Sequence, residues 1–374
     1  PSMKTNIFFI AIDVDDKAFH GCGINKKTGE VREFVCRPTI GHLEKKLAGF
    51  KEDGAELKIC YEATYLGFSL CRALEKKGYE CDVIAPSLIP EMPGKFVKTD
   101  KIDCRKMAIY FMNGQLTKVH VPTLEEEMAR GLVRSRKFVG EQMRSLKGHI
   151  LSMCRRVGVN YRLEGQEQKK HYWTKQHREW LQRQIKEQEN HELSFNVTML
   201  IKQLEQFEEA IKTYDEEIER IAREEFYKEK VESLCSYRGI DTLTAMTLVT
   251  ELGDIKRFAH PRQLCSYAGM ELREYSSGGH ERRYGMSKMG NGHIRTSVIE
   301  SCQLASRIPQ VGKSLKARRS TVNAKYIEIA DRCMNRMYGK SRRLLQRGKP
   351  TNKVKVACAR EMLCFVWESL NAVG

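Results

Sequence analysis

No pair of cysteines in this 374-residue chain is spaced C-x-x-C, although thirteen cysteines are present. That spacing is the usual signature of a zinc ribbon, and its absence also argues against a dense disulfide framework. Cys60, Cys71, Cys302 and Cys364 lie in apolar surroundings, where cysteine acts as a small hydrophobe, and a reducing compartment suits them. There is no long apolar run free of charge, which excludes a membrane-spanning helix. The opening residues form no charged-then-apolar leader, so a secreted protein is not expected; Pro1-Ser2 ahead of Met3 reads as a cloning remnant. No zinc-finger or homeodomain-like pattern offers a base-reading helix.

Acid is scarce in the last third. From Lys256 to Gly374 there are 24 Lys and Arg against 8 Asp and Glu, a surplus of 16. The whole chain carries +17, which leaves +1 for the first 255 residues. A cationic third joined to a near-neutral body is the electrostatic footprint of a nucleic-acid partner. A merely basic surface or an anionic membrane is the competing explanation.

Four carboxylates stand out in the near-neutral part. Asp100 and Asp103, in K-T-D-K-I-D-C-R-K-M-A, are three apart on a predicted helix and so share a face. Taken alone they also fit an N-cap with its N3 partner. Asp13 ends the apolar run I-F-F-I-A-I-D-V, and Glu62 lies near the end of L-K-I-C-Y-E-A-T. Acids inside buried strands are costly without partners, and a divalent cation lets several coexist.

Patterning predicts strands at 7–14, 18–24 and 30–36, a helix at 41–50, a strand at 57–63, a helix at 66–77, a strand at 81–85, and a possible last strand at 118–121. Three hairpin-joined strands followed by alternating helices and strands is the order of an RNase H-like domain. A long helix is expected at 124–157, then a polar stretch at 164–189 whose His171 and His177 make poor metal ligands. Leu193, Val197, Leu200, Leu204, Phe207, Ile211, Tyr214, Ile218 and Ile221 alternate four and three apart, a heptad seam. Self-association and an internal hairpin with the preceding helix satisfy that seam equally. Around Gly239 a helix–turn–helix resembles a helix-hairpin-helix unit, whose backbone N–H groups can face a phosphate; a plain helical corner fits the same pattern. Residues 265–295 hold six glycines and five Lys or Arg, with Ser277 just before Gly278-Gly279. Such a loop suits close approach to a sugar-phosphate backbone. Helical, basic sequence follows, ending in an amphipathic helix at 354–370.

The ordered set I-D at Asp13, E-A-T at Glu62, K-T-D-x-x-D at Asp100 and Asp103, then Y-S-S-G and M-S-K-x-G, resembles the DEDD-type transposases of bacterial insertion sequences, the bridge-RNA-guided recombinases related to the Piv invertase. The resemblance runs from about Ile7 to Leu370. It implies an α/β plus α protein in three parts: a RuvC-like catalytic domain (1–122), a helical coiled-coil dimerisation region (123–230) and a mostly helical C-terminal transposase domain (231–374). It implies that Asp13, Glu62, Asp100 and Asp103 hold one or two Mg²⁺ and that Ser277 is the nucleophile. Arg282, Arg283, Lys288 and Arg295 are then expected at phosphates, with Lys316, Arg318 and Arg319 tracking the backbone. The implied partners are donor and target double-stranded DNA, a structured guide RNA and further copies of the chain, as dimer or tetramer, with the active site shared between subunits. The setting is bacterial cytoplasm at the nucleoid. Two positions depart from the family pattern: Asp16 stands where a Lys is usual, and E-A-T-Y-L-G moves the expected glycine to Gly67. A resolvase-like nuclease using water and a non-enzymatic nucleic-acid-binding protein are the alternatives.

Overall fold

The structure, a computed structural model, describes residues 6–51, 54–90, 100–162, 171–277 and 280–373; the side chains of 100–102 and 273–284 fall outside that description. Lys98 and Thr99 of the K-T-D-x-x-D segment lie outside it too. The chain divides into two compact units, Pro1–Pro122 and Thr123–Gly374.

The first unit is a five-stranded sheet with helices on both faces. Its elements are β1 (Ile7–Val14), β2 (Phe19–Asn25), β3 (Val31–Cys36), α1 (Ile40–Lys51), β4 (Glu56–Glu62), α2 (Ser69–Lys76), β5 (Glu80–Ile84) and α3 (Asp100–Met112). The strand order is β3-β2-β1-β4-β5, with β1, β4 and β5 parallel and β2 antiparallel to both its neighbours. β1 is central and buried on both sides, hence its nearly unbroken apolar run. Phe8, Ile10 and Ile12 pack with Leu57, Ile59 and Tyr61 beneath Leu43 and Leu47 of α1 and Leu74 of α2. The alternate residues Phe9, Ala11, Cys60 and Ile84 pack beneath Cys104, Met107, Ala108 and Phe111 of α3. The strand expected at 118–121 is reduced to one bridge, Ile84 to Lys118. Pro122 follows immediately, and Lys118 Nζ is drawn to Asp82 at 2.7 Å.

The second unit is helical apart from one ribbon. It comprises α4 (Leu124–Arg156), α5 (Lys175–Glu187), α6 (His191–Ala222), α7 (Glu225–Cys235), α8 (Thr242–Leu252), α9 (Pro261–Tyr267), β6 (Leu272–Ser277), β7 (His280–Met286), α10 (Gly292–Ser301), α11 (Lys313–Arg319), α12 (Ala324–Gln346) and α13 (Thr351–Asn371). Thr123 and Glu126 close a capping box at the start of α4. α4 and α6 form an antiparallel hairpin: Ala129 and Val133 share a core with Ile218 and Ala222, and Ile150 and Cys154 share another with Val197 and Leu204. Between the two, Arg136 forks onto Asp215 at 2.8 and 3.0 Å, and Lys147 reaches Glu208 at 3.4 Å. The heptad spacing of α6 is thus answered inside the chain. The polar stretch at 164–189 contains a helix the composition hides, α5, whose Trp180, Leu181 and Ile185 are buried. The first core also takes in α7 to α10, α12 and α13, so the division at 230 drawn from the sequence falls inside one unit. No described helix is long and apolar enough to cross a membrane.

Candidate active site

The site residues expected from the sequence fall at two places, one in each unit. In the sheet unit, β1 and β4 are adjacent and parallel, paired up to Ile12 against Tyr61. Asp13 and Glu62 are the next residues on each strand, level with one another at the carboxyl ends. Side chains alternate along a strand, so Asp13 follows Phe9 and Ala11, and Glu62 follows Cys60, onto the face that α3 covers. α3 brings Asp103 to the same end: its neighbour Cys104 bonds through Sγ to the carbonyl of His20 at 3.3 Å, and His20 is the β2 partner of Asp13. Asp103 is half-buried, with Lys106 Nζ 3.9 Å from Oδ1. Asp100 opens α3, and its side chain lies outside the description. Among the described residues, no three His, Cys, Asp or Glu side chains make a metal cage. The ends of parallel strands are where α/β sheets place their ligand sites.

The two departures from the expected pattern meet at this end. Tyr65, 71% exposed in the loop after β4, stands beside Asp16 in the loop after β1. Desolvation and the bond to Asp16 raise its phenol above the ordinary value. Asp82, on the α3 face of β5, is an acid the sequence reading passes over, and Lys118 neutralises it.

In the helical unit, β6 and β7 form an antiparallel ribbon with Ser276 opposite Glu281 and Ser277 opposite His280. Ser277 therefore ends the ribbon, and only residues 278 and 279 connect the strands. His280 went unremarked in the sequence, although S-S-G-G-H between two alternating segments is a two-residue hairpin signal. Arg282 and Arg283 pair in register with Tyr275 and Glu274; their side chains lie outside the description.

The remaining cations divide. Lys288 and Lys316 are exposed. Arg295 is half-buried and donates Nη1 to the carbonyl of Ala268 at 2.8 Å. Arg318 donates to the carbonyl of Cys235 at 3.1 Å and to Ser314 Oγ at 3.0 Å. Arg319 is not available to a phosphate: it is 8% exposed, donates Nε to the carbonyl of Ser236 at 2.8 Å and places Nη1 2.9 Å from Asp331. Charge in a sequence does not reveal which arginine a helix turns inward, and this one braces α11 against α7 and α12.

The two helices expected around Gly239 are α7 and α8, joined by the Gly239 turn. Gly239 adopts φ 95°, and a Cβ there would lie 2.3 Å from the carbonyl oxygen of Ser301, so glycine is required twice over. Beside the turn runs a groove of about 620 Å³ lined by Arg238, Arg307, Lys313 and Arg318 with one carboxylate, Asp241. Arg238 donates to the carbonyls of Leu304, Arg307 and Ile308 and meets no acid in those bonds. Burial and then the neighbouring Arg307 pull its pKa below the ordinary value.

Comparison with known proteins gives a consistent result. Residues 231–317, which include the ribbon and the Gly239 turn, match the family described as "Transposase IS116/IS110/IS902 family". A protein of Sinorhizobium fredii named as a transposase, y4qE, is 32% identical over 367 residues, spanning 96% of this chain and 87% of its own length. The transposase for insertion sequence element IS1533 of Leptospira borgpetersenii is 28% identical over 359 residues, spanning 89% and 98%. That for IS1328 of Yersinia enterocolitica is 24% identical over 311 residues, spanning 80% and 84%.

Proposed function

Because this chain belongs to the IS116/IS110/IS902 family of insertion-sequence transposases, we propose that it cuts and rejoins donor and target DNA with Ser277 as nucleophile and the Asp13, Glu62, Asp100 and Asp103 carboxylates as the metal-holding half of the site. The observation that carries this reading is the level placement of Asp13 and Glu62 on neighbouring parallel strands, on the face where α3 delivers Asp103. The strand order β3-β2-β1-β4-β5 also agrees with an RNase H-like, RuvC-like sheet.

Carboxylate oxygens are hard donors and suit Mg²⁺. Since no three described acids form a cage by themselves, the reading gives Asp100 an indispensable place. One or two ions bound there would neutralise charge on the scissile phosphate. The chain's own part is nucleophilic: Ser277 Oγ gives up its proton and forms a P–O bond to the phosphate, the bond to the departing DNA oxygen breaks, and that oxygen takes up a proton to leave as a hydroxyl. The phosphoserine conserves the phosphodiester energy, and attack by a second DNA hydroxyl releases Ser277. Lys288, Lys316 and the Arg238 groove hold backbone phosphates in register without reading bases. Site choice then falls to pairing with a structured guide RNA, and the shared site needs more than one subunit.

The test is recombination between donor and target plasmids, with and without the flanking RNA, for the wild type and Ser277→Ala. A covalent protein–DNA adduct in Ser276→Ala that is lost in Ser277→Ala supports the reading. Cleavage that survives Ser277→Ala identifies a water-using nuclease instead, and recombination without RNA removes the guide.

A further inference from the structure

The foot of the serine ribbon is held by a buried carboxylate that the proposed chemistry does not use. Glu251, near the end of α8, is 1% exposed. Arg134 of α4 forks onto it, Nε to Oε1 at 2.7 Å and Nη2 to Oε2 at 2.8 Å, and Asn291 Nδ2 donates to Oε2 at 2.7 Å. Burial pushes this carboxyl up, but the bonds from Arg134 and Asn291 outweigh it and hold it below the ordinary value. A buried charge so satisfied is costly to disturb.

Asn291 links that charge to the ribbon. Its Oδ1 accepts from the N–H groups of His293 and Ile294 at 2.9 and 3.1 Å, capping α10, and its own N–H donates to the carbonyl of Tyr267 at 2.7 Å. The two feet of the ribbon are stitched together just beyond: Lys288 N–H to Gly269 O at 3.1 Å and Ser287 N–H to Glu271 O at 2.9 Å. They cross at Gly269 (φ 65°) and Gly290 (φ 148°), where a Cβ on Gly290 would lie 2.5 Å from Tyr267 O and 2.6 Å from Gly269 N. Lys288 itself takes φ 56°, a conformation costing about 1 kcal/mol or more outside glycine.

We infer that Glu251 is a positioning residue: through Asn291 it fixes the direction in which the ribbon leaves the helical core, and so where Ser277 is presented. The lever arm makes this consequential. Five residue steps separate Leu272 from Ser277, roughly 17 Å of strand. A tilt of about 10° at the foot moves the tip by about 3 Å, and a misplacement of about 1 Å can cost roughly a hundredfold in rate. The inference rests on Ser277 being the nucleophile, so the experiment needs one arm that does not.

Asn291→Ser keeps a capping oxygen for α10 and removes the donor to Glu251. Asn291→Asp keeps the cap and sets two carboxylates face to face, and Glu251→Gln added to Asn291→Asp restores a donor–acceptor pair. Adduct formation, DNA affinity, melting temperature and amide exchange at Ser287, Lys288 and Asn291 are measured in the full chain. Expected are a ten- to hundredfold slower adduct in both single variants, DNA affinity within about twofold of wild type, at least tenfold faster exchange at those amides, and partial recovery in the double variant. Unchanged exchange at the three amides overturns the inference, and so does an adduct loss that merely tracks lost DNA affinity or melting. If the wild type forms no Ser277-dependent adduct, the nucleophile reading fails, and the exchange measurement alone decides the role of Glu251.

Discussion

The two units present the groups proposed to react in opposite ways. In the sheet unit, Asp13 and Glu62 lie at the carboxyl ends of strands buried on both faces, so their backbone is set by the core itself. In the helical unit, Ser277 ends a two-stranded ribbon whose described bonds to the core are made at its feet. A strand end inherits its precision from packing, whereas a ribbon tip depends on whatever fixes its root. Substitutions near the acids should therefore act locally, and substitutions far from the serine should act on it at a distance.

The largest effect tests the rigid half. Asp13→Asn or Glu62→Gln should slow strand cleavage by about a thousandfold or more while leaving DNA affinity within a few fold; cleavage near wild-type rate in either variant would remove the acid site. Next, Gly239→Ala forces a Cβ to 2.3 Å from Ser301 O at φ 95°. It should cost about 3 kcal/mol or more, read as a fall in melting temperature of the full chain with the sheet unit's amide protection unchanged. A third prediction uses pH. His177 is fully buried, accepts the Trp173 N–H at Nδ1, and is pulled down to about 4 by burial and then by Arg178. The unfolded side chain protonates near 6.5, so its contribution is whole above that pH and is lost as pH falls toward 4, a change of about 3 kcal/mol. Denaturant unfolding at pH 7 and pH 4.5 should show that slope, and His177→Phe should flatten it. The smallest effect separates two neighbours: Lys316→Ala should lower the salt dependence of DNA binding by about one phosphate without altering stability, whereas Arg319→Ala should destabilise the fold and leave the salt slope alone.

What the sequence revealed follows the same divide. β1 and β4 were legible because burial on both sides leaves mostly apolar runs with an acid near the carboxyl end. The placement of Asp13 against Glu62 was not, since register between strands 49 residues apart is set by sheet pairing. The seam of α6 was legible, but a heptad names no partner, and here α4 supplies it. α5 escaped because Trp180, Leu181 and Ile185 sit among charges that dominate the composition. The ribbon escaped because glycine and serine read as loop; opposing alternation across residues 278 and 279 was the missed signal. The inward turn of Arg319 is hidden because charge is visible in sequence and orientation is not.

The hairpin of α4 and α6 has one more property. Leucine, valine and isoleucine faces tolerate sliding, since each turn offers the next much the same surface. Asp215 and Glu208 do not: one is gripped by Arg136, the other by Lys147 and, at both oxygens, by Arg178 of α5. A slip of α4 by one helical turn along α6, about 5.4 Å, would part the Arg136 and Lys147 contacts together. The two long helices are thereby given a single alignment, spelled out by a pair of carboxylates midway along an otherwise interchangeable seam.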